Sequence, residues 1–235
     1  MHKFNVADVD RLRSKLNESN YRRALRYAED TLGGLKKLED FEQGVAIFGS
    51  SRPTSSDKMY KTARQLGRKL AKAGHNVITG GAQGIMEAAN RGAFEAGGTS
   101  IGLNIKLPHE QHLNKYTTIQ MEFRYFFARK VMLVASSKAY VFVPGGFGTL
   151  DEFSEIVTMI QTDKIPPAPL MLVGSDFWQP VDNFFLKTVQ QQRGYISPND
   201  RMLYTITDDV DLVVDAVNSV SRVGISAGLA TVDRV

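Results

Sequence analysis

The sequence predicts an α/β protein with a doubly wound, mostly parallel sheet and an N-terminal helical extension. Short apolar runs alternate along the chain with segments whose apolar residues recur every three or four positions. Parallel strands require such helical crossovers. Three of the apolar runs end in glycine-containing turns that lead into a helix, as in a Rossmann-like sheet. We therefore predict a helical extension (1–43), a Rossmann-like nucleotide-binding domain (44–223) and a loose tail (224–235).

The helical extension lacks proline, and its only glycines are Gly33 and Gly34. Leu12 and Leu16 are one helical turn apart and indicate a first amphipathic helix. Apolar residues at helical spacing from Tyr21 to Leu32 indicate a second helix. We expect the glycine pair to end this second helix, because glycine is the usual residue just beyond a helix terminus.

The domain itself is predicted to contain six strands with helices among them. The strands are expected at 45–48, 77–79, 100–105, within 117–123, at 139–143 and at 170–173. Helices are expected around the apolar residues from Met59 to Leu70, from Met86 to Ala93 and from Phe153 to Ile160, and over 124–136, 177–192 and 208–221. No internal repeat interrupts this alternation.

Composition excludes several classes of protein. The chain has 235 residues, of which 43% are hydrophobic and 23% charged, and it contains no cysteine. Disulfide scaffolds, thiolate metal sites and cysteine nucleophiles are therefore excluded. No apolar run approaches the ~20 residues of a membrane span, and the N-terminus lacks the apolar stretch of a signal peptide. We expect a cytoplasmic protein that does not bind membranes.

The net charge of +4 raises the question of nucleic-acid binding. Basic residues are interspersed with acidic ones along the whole chain, and no run reaches the five or six like charges of a basic tail. We therefore expect a solvated mixed-charge surface and keep nucleic-acid binding as the weakest of three functional hypotheses. The four histidines are too dispersed to predict a metal site, and no third ligand accompanies His109 and His112.

Three glycine turns are expected at one edge of the sheet, where the carboxyl ends of parallel strands form the ligand crevice. Glycine lets the backbone approach a phosphate, and a helix N-terminus favours an anion. The alternative for any one turn is that glycine merely permits a tight connection. Together the three turns favour a phosphorylated ligand. The candidate binding residues are Gly49, Ser50, Gly80, Gly81, Gly145, Gly146, Gly148 and Thr149.

Two common nucleotide motifs are missing from these turns. None matches G-x-G-x-x-G followed by an acid about 20 residues later, and none matches G-x-x-x-x-G-K-[ST]. A nicotinamide dehydrogenase and a nucleoside triphosphatase are therefore disfavoured. The pattern favours a monophosphate held by one loop.

Acidic and basic residues flank the third turn. Thr149 is a plausible N-cap, which would place Asp151 and Glu152 in the first turn of the following helix and would allow a Thr149–Glu152 capping box. Arg129 and Lys130 lie on the preceding predicted helix, which can bring them to the same edge. As an alternative to capping, Arg129 could grip a phosphate or hydroxyl while Glu152 activates water or stabilises positive charge on a sugar.

These residues resemble a known family. The run from Pro144 to Glu152 is similar to the P-G-G-x-G-T-x-x-E motif of the Lonely Guy family, nucleoside 5′-monophosphate phosphoribohydrolases that release cytokinins. Arg129 precedes Pro144 by 15 positions, which resembles the family spacing of its Arg-Lys pair. The two earlier glycine turns also resemble the family's, and the likeness covers about 44–222. The resemblance implies that Arg129 and Glu152 are catalytic, that Lys130 contributes to binding and that the protein is a homodimer or higher homo-oligomer.

The sequence departs from plant-type members at three places. Phe126-Phe127-Ala128 stands where those members have Met-His-Glu before the Arg-Lys pair, Ser137-Lys138 stands where they often have Ser-Asp, and Glu87 follows Met86 where a glycine is common. These departures leave the catalytic pair intact but affect the preferred base, so cytokinin nucleotides and adenosine monophosphate both stay open as substrates. Many members carry an old label of lysine decarboxylase. Lys130 is the only lysine within the two motifs, and we interpret it as an anion-binding or surface charge, not as a Schiff-base lysine.

The leading hypothesis is a hydrolase that cleaves the N-glycosidic bond of a purine nucleoside 5′-monophosphate to give the free base and ribose 5-phosphate. This reaction requires neither a metal nor an organic cofactor. The second hypothesis is a non-catalytic carrier or sensor of a phosphorylated ligand such as molybdopterin cofactor, since carriers of that kind share the fold. A carrier has no need of a hydrolytic acid, so the Arg129–Glu152 pair favours the enzyme.

Overall fold

A computed structural model describes residues 13–39, 41–107 and 113–220. Its strands form one seven-stranded sheet in which every pairing is parallel. The strands are β1 (Gly44–Phe48), β2 (Val77–Thr79), β3 (Ser100–Ile105), β4 (Ile119–Phe123), β5 (Ser137–Phe142), β6 (Leu170–Val173) and β7 (Thr205–Thr207). The α-helices are α1 (Glu18–Leu38), α2 (Lys58–Lys72), α3 (Ile85–Glu95), α4 (Phe126–Ala135), α5 (Phe147–Gln161), α6 (Ser175–Phe184) and α7 (Val210–Asn218). A π-helix (Phe185–Gln192) continues α6, and a short 3₁₀ helix spans Pro198–Met202.

The strand order β4-β3-β2-β1-β5-β6-β7 confirms the doubly wound sheet. The chain builds outward from β1 to β4, then returns to the other side of β1 and builds outward again to β7. The order therefore reverses between β1 and β5, and a crevice opens at their carboxyl ends. The turns that follow these two strands are joined directly, since the Ser50 N–H donates to the Pro144 carbonyl over 3.1 Å. The sheet topology thus places two of the predicted glycine turns side by side.

The five inner strands of the sheet are buried on both faces, whereas the edge strands β4 and β7 are partly exposed. Successive side chains of the inner strands enter opposite cores. In β1, Ala46 and Phe48 pack with α1, α4, α5 and α6, whereas Val45 and Ile47 pack with α2, α3 and α7. Trp178 is fully buried in the first core, and its indole N–H donates to the Phe142 carbonyl over 3.0 Å. Burial of both faces explains why the strands appear in the sequence as continuous apolar runs.

The N-terminal helix α1 packs against α4 and does not end at Gly33-Gly34, so the predicted terminus is wrong. A Cβ on Gly34 would lie 2.7 Å from the Met132 sulfur, so this glycine lets the two helices approach each other inside a continuing helix. The Asp30 carboxylate also accepts bonds from two backbone N–H groups just before α4, at 2.7 and 3.0 Å. The helix continues to Leu38, which is fully buried.

The other predicted elements occur in the structure with shifts of a few residues at their ends. Strand β7 and the short 3₁₀ helix were not predicted. Strand β7 is a partly exposed edge strand, Thr-Ile-Thr, with no apolar run, and the 3₁₀ helix is too short to show a repeat. The first predicted helix of the extension falls largely outside the described residues, as does the tail, 224–235. Among the described helices, none is both long enough and apolar enough to cross a membrane.

Candidate active site

A cavity of about 930 Å³ opens at the carboxyl ends of β1, β2 and β5. Nine of the eleven site residues predicted from the sequence line it: Gly49, Ser50, Gly80, Arg129, Gly145, Gly146, Gly148, Thr149 and Glu152. The other two, Gly81 and Lys130, lie behind the cavity wall. Gly81 has a positive φ of 71° and packs against Gly102 of β3. The fold therefore gathers residues from three separate turns around one space.

Helix α5 begins at Phe147, with Gly146 in extended conformation as its N-cap. The prediction of Thr149 as N-cap is therefore wrong, because the helix starts three residues earlier. Thr149 is the third helical residue and Glu152 the sixth, so neither takes part in a capping box, and neither Asp151 nor Glu152 lies in the first turn. Among the described residues no side chain caps this terminus, so its first N–H groups, which line the cavity, are available to an anion.

The glycines of this turn differ in what they make room for. A Cβ on Gly145 would lie 2.0 Å from Thr149 Oγ1, so Gly145 is required by the packing of the turn itself. A Cβ on Gly146 or Gly148 would meet no atom of the described part of the chain within 4 Å. The fold has no steric need for glycine at these two positions. Their bare backbone instead leaves the mouth of the helix N-terminus open to a ligand.

Glu152 is a buried carboxyl group in the cavity wall. Glu152 is only 6% exposed, and its Oε2 has no hydrogen-bond partner among the described residues. Burial raises the pKa of Glu152 to about 7, with the charges of Glu155 and Asp151 acting in the same direction and those of Arg129 and Lys130 against it. A buried, unbonded carboxyl that titrates near neutrality is suited to proton transfer.

Arg129 lines the cavity beside Gly80, the residue that follows β2. Its Nε donates to the Leu103 carbonyl over 2.7 Å, and a Cβ on Gly80 would lie 2.1 Å from its Nη2. Burial lowers the pKa of Arg129, while the negative charge of Glu152 opposes this shift. The two side chains therefore interact electrostatically, although they form no direct ion pair. The guanidinium retains donors that can bind an anionic ligand.

Lys130 joins α4 to α5 instead of facing the cavity. Its Nζ lies 2.9 Å from Asp151 Oδ2 and 3.0 Å from Glu155 Oε2. Partial burial works to lower the pKa of Lys130, but its bonds to these two carboxylates outweigh it and raise the pKa. Lys130 thereby fixes the two helices that carry Arg129 and Glu152.

Arg52 is a cavity residue that the sequence reasoning did not select. It is exposed, lines the cavity and forms no ion pair with a described residue. Its backbone N–H donates to Ser50 Oγ over 3.2 Å, and Ser50 in turn bonds to Pro144 beside the α5 N-terminus. Arg52 directly follows the Gly49-Ser50-Ser51 turn in the sequence, and this position could have identified it as a candidate binding residue. Four aromatic residues also line the cavity: Phe48, Phe126, Phe147 and Phe177.

The raised pKa of Glu152 predicts a pH-dependent stability. Its folded-state pKa of about 7 lies above the ordinary 4.5, so the folded state binds this proton more tightly than the unfolded state. The resulting stabilisation is complete below about pH 4.5 and is lost as the pH rises through about 7. Glu152→Gln lacks this titration, so it does not share the stability that the wild type loses as the pH rises. The difference in melting temperature, variant minus wild type, should therefore increase from about pH 5 to about pH 8. Thermal unfolding at both pH values measures it, and a constant difference would contradict the raised pKa.

Comparison with known proteins places this chain in a family. The chain matches the family described as "Possible lysine decarboxylase" over residues 86–217, and that of DNA recombination-mediator protein A over residues 30–141, which is less than half of the chain. An uncharacterized protein of Archaeoglobus fulgidus is 35% identical over 111 residues, which cover 47% of this chain and 70% of that protein. The cytokinin riboside 5′-monophosphate phosphoribohydrolase of Rhodococcoides fascians is 23% identical over 182 residues, 75% of this chain and 90% of the relative.

Solved structures share the fold at a similarly low sequence identity. The molybdenum cofactor binding protein of the phototrophic bacterium Rippkaea orientalis has a TM-score of 0.59 and 22% identity, covering 77% of this chain and 98% of that one. At this identity the likeness shows the fold alone. The match to the family over 86–217 and the phosphoribohydrolase relatives are stronger evidence for family membership than the structural likeness is. The chain therefore belongs to the family described as "Possible lysine decarboxylase", which is the Lonely Guy family that its motifs resemble.

Proposed function

We propose that the protein hydrolyses the N-glycosidic bond of a purine nucleoside 5′-monophosphate, with cytokinin-type and adenosine nucleotides as the substrate class. The observation that carries this proposal is the buried Glu152 carboxyl, unbonded at Oε2 and electrostatically coupled to Arg129, in a cavity that also holds an open helix N-terminus. The names of the relatives support the same reaction. The products are the free base and ribose 5-phosphate.

In the proposed mechanism the 5′-phosphate binds at the first turn of α5, over Gly146 and Gly148, where backbone N–H groups supply charge-assisted donors. Arg52 lies beside this turn and neutralises part of the phosphate charge. Arg129 orients the ribose phosphate. The aromatic side chains of Phe126 and Phe147 offer faces on which a purine can stack.

Glu152 acts at the anomeric carbon. As the bond between C1′ and the base breaks, positive charge develops on the ribose ring, and the carboxylate stabilises it. A water molecule then adds its hydroxyl to C1′, and its proton passes by way of the Glu152 carboxylate to the departing base. A pKa of about 7 lets the same group accept and return a proton near neutral pH.

The direct test is incubation of the protein with a panel of nucleoside 5′-monophosphates and separation of the products by chromatography. We expect free base and ribose 5-phosphate in equal amounts from at least one purine nucleotide. Release of inorganic phosphate, or unchanged nucleotides throughout the panel, would contradict the proposed reaction.

The phosphate site predicts that Gly148→Ala weakens nucleotide binding without weakening the fold. No described residue lies within 4 Å of the added methyl group, and alanine is the better helix former, so the free energy of unfolding should stay equal or rise by up to about 1 kcal/mol. The methyl group would occupy the space above the helix N-terminus. We expect adenosine 5′-monophosphate to bind at least ~10-fold more weakly, the equivalent of about one charge-assisted hydrogen bond.

Calorimetry in a Glu152→Gln background, where turnover is slow, measures this affinity. Gly33→Ala is the matched control, since Gly33 lies in α1 with nothing within 4 Å of its added Cβ and is remote from the cavity. Adenosine should bind far more weakly than its monophosphate to the parent, and Gly148→Ala should leave adenosine affinity unchanged. Equal affinity for adenosine and its monophosphate would exclude a phosphate site.

The residues of the candidate site do not suit pyridoxal-dependent lysine decarboxylation, the activity in the family's description. A Schiff-base lysine must present a neutral amine to its cofactor, but the Lys130 ammonium is held by two carboxylates that raise its pKa. No lysine is among the described residues that line the cavity. We expect no pyridoxal absorbance band in the purified protein and no release of carbon dioxide from lysine. Decarboxylation upon addition of pyridoxal phosphate would overturn this expectation.

A further inference from the structure

Three buried polar side chains meet behind the cavity wall. Thr79 ends β2, Asn90 lies in α3 and Asn114 precedes β4; the first two are fully buried and Asn114 is 4% exposed. Asn90 Oδ1 accepts from Thr79 Oγ1 over 2.6 Å and from Asn114 Nδ2 over 2.9 Å. Asn90 Nδ2 donates to Ser100 Oγ of β3 over 2.8 Å. The cluster therefore links two neighbouring strands, a helix and a loop.

The same side chains hold the Gly80-Gly81-Ala82 turn. The Gly81 N–H donates to Thr79 Oγ1 over 2.9 Å, and the Asn114 backbone N–H donates to the Gly81 carbonyl over 2.9 Å. Asn114 Nδ2 lies 3.1 Å from the carbonyls of both Gly81 and Ala82. The cluster thus bonds both the N–H and the carbonyl of Gly81, whose backbone is left-handed.

This turn is one of the two surfaces against which Arg129 rests. Gly80 stands between Thr79 and Gly81, and its Cα hydrogen faces Arg129 Nη2, where a Cβ would come within 2.1 Å. The other surface is the Leu103 carbonyl of β3, which accepts from Arg129 Nε. Asn90 bonds to the first residues of that same strand, at Ser100 and Ile101. Both surfaces therefore belong to segments that Asn90 ties together.

We propose that Thr79, Asn90 and Asn114 are positioning residues that fix the Arg129 guanidinium relative to Glu152. A merely packed core would be served by apolar side chains, which have no polar groups to satisfy. A fully bonded polar cluster instead specifies one position of the turn, and the turn bounds the space that Arg129 occupies. The kinetic part of this proposal rests on the proposed hydrolysis, whereas its electrostatic part does not.

The test compares Thr79→Val with Thr79→Ser. Valine keeps the volume but removes the hydroxyl that bonds both Asn90 and Gly81, and serine keeps that hydroxyl. The readout is the titration of Glu152, followed by NMR of protein labelled with ¹³C at glutamate carboxyl groups and assigned by the signal that Glu152→Gln lacks. The charged groups that act on Glu152 are Arg129 and Lys130 from α4 and Asp151 and Glu155 from α5. Both variants retain these four charged groups, so a shift in the pKa of Glu152 reports that a charged group has moved. Of the four, Arg129 is the one that contacts the turn.

We expect Thr79→Val to raise the pKa of Glu152, in the direction given by Arg129→Gln, and Thr79→Ser to leave it at the wild-type value. In the hydrolysis assay Thr79→Val should lower kcat by about 10–100-fold with little change in KM, as expected for a misplaced catalytic group. Tyr140→Phe is the control for loss of a buried hydroxyl elsewhere, since Tyr140 bonds to the Val134 carbonyl away from the turn. It should move neither quantity.

Wild-type titration of Glu152 in a folded Thr79→Val protein would overturn the proposal, as would an equal shift in Tyr140→Phe. If Thr79→Val does not fold, Asn114→Ser, which shortens the side chain that bonds Gly81 and Ala82, is measured in the same way with the same two outcomes. If the wild-type protein hydrolyses no nucleotide, the proposed function fails, but the titration still decides whether this cluster positions Arg129.

Discussion

Replacing Glu152 by glutamine is expected to reduce hydrolysis at least ~100-fold while the protein stays folded, because general acid–base assistance alone is worth about 10²–10⁴-fold. The structure removes the competing explanation that Glu152 caps its helix, since it is the sixth residue of α5. Glutamine has nearly the same shape and does not have to bury a charge. A loss of activity at an unchanged or raised melting temperature would therefore report chemistry and not unfolding.

Glu155→Gln is the matched control for this variant. Glu155 lies one turn further along α5, pairs with Lys130 and is not among the described residues that line the cavity. We expect its hydrolysis rate to stay within a few-fold of wild type. Near-wild-type hydrolysis by Glu152→Gln would remove Glu152 from the mechanism. A wild-type protein that binds nucleotides tightly but releases no base would instead support the carrier hypothesis.

Arg129→Gln is expected to lower kcat/KM by about 10²–10³-fold, the usual cost of removing one preorganised donor from a developing charge. The variant also loses the positive charge that opposes the upward pKa shift of Glu152. The pKa of Glu152 should therefore rise, and more of this group should be protonated at neutral pH. Part of the lost activity should return as the pH is raised, which a pH–rate profile measures.

Arg129→Lys separates charge from geometry at this position, and Arg124→Gln is the control. Arg129→Lys keeps the positive charge but lacks the planar fork, so it should lower the pKa of Glu152 towards wild type without restoring full activity. Arg124→Gln removes an exposed arginine just before α4 that does not line the cavity, and it should behave as wild type. Full activity of Arg129→Gln at all pH values would show that Arg129 does not contact the reacting ligand.

Most of the candidate site could be predicted because its parts are local in sequence. The turn from Gly145 to Thr149 follows an apolar strand and precedes a helical repeat, and both features are visible without a structure. Parallel topology then implies that the three glycine turns share an edge. The positions of nine predicted residues around one cavity agree with that inference. Their roles in binding and catalysis stay predictions until the variants are measured.

The errors arose where a residue type fits two local structures. Thr149 is a good N-cap by composition, but the extended conformation of Gly146 starts the helix earlier. Gly34 is a good helix terminator by composition, but contact with Met132 makes it a packing glycine within α1. Both choices depend on neighbours that are distant in sequence, and propensity is too weak to decide between them.

The alternation of strands and helices, the parallel sheet and the edge at which the candidate site lies could all be predicted from the sequence alone, because these follow from periodicity and chain connectivity. The electrostatics of the candidate site could be read only from the folded structure. The pKa of Glu152 depends on burial and on charges from two helices, and the place of Arg129 depends on Gly80 and Leu103. Desolvation and Coulomb energies depend on distance and on the surrounding medium. Neither quantity exists until the chain has folded and excluded water.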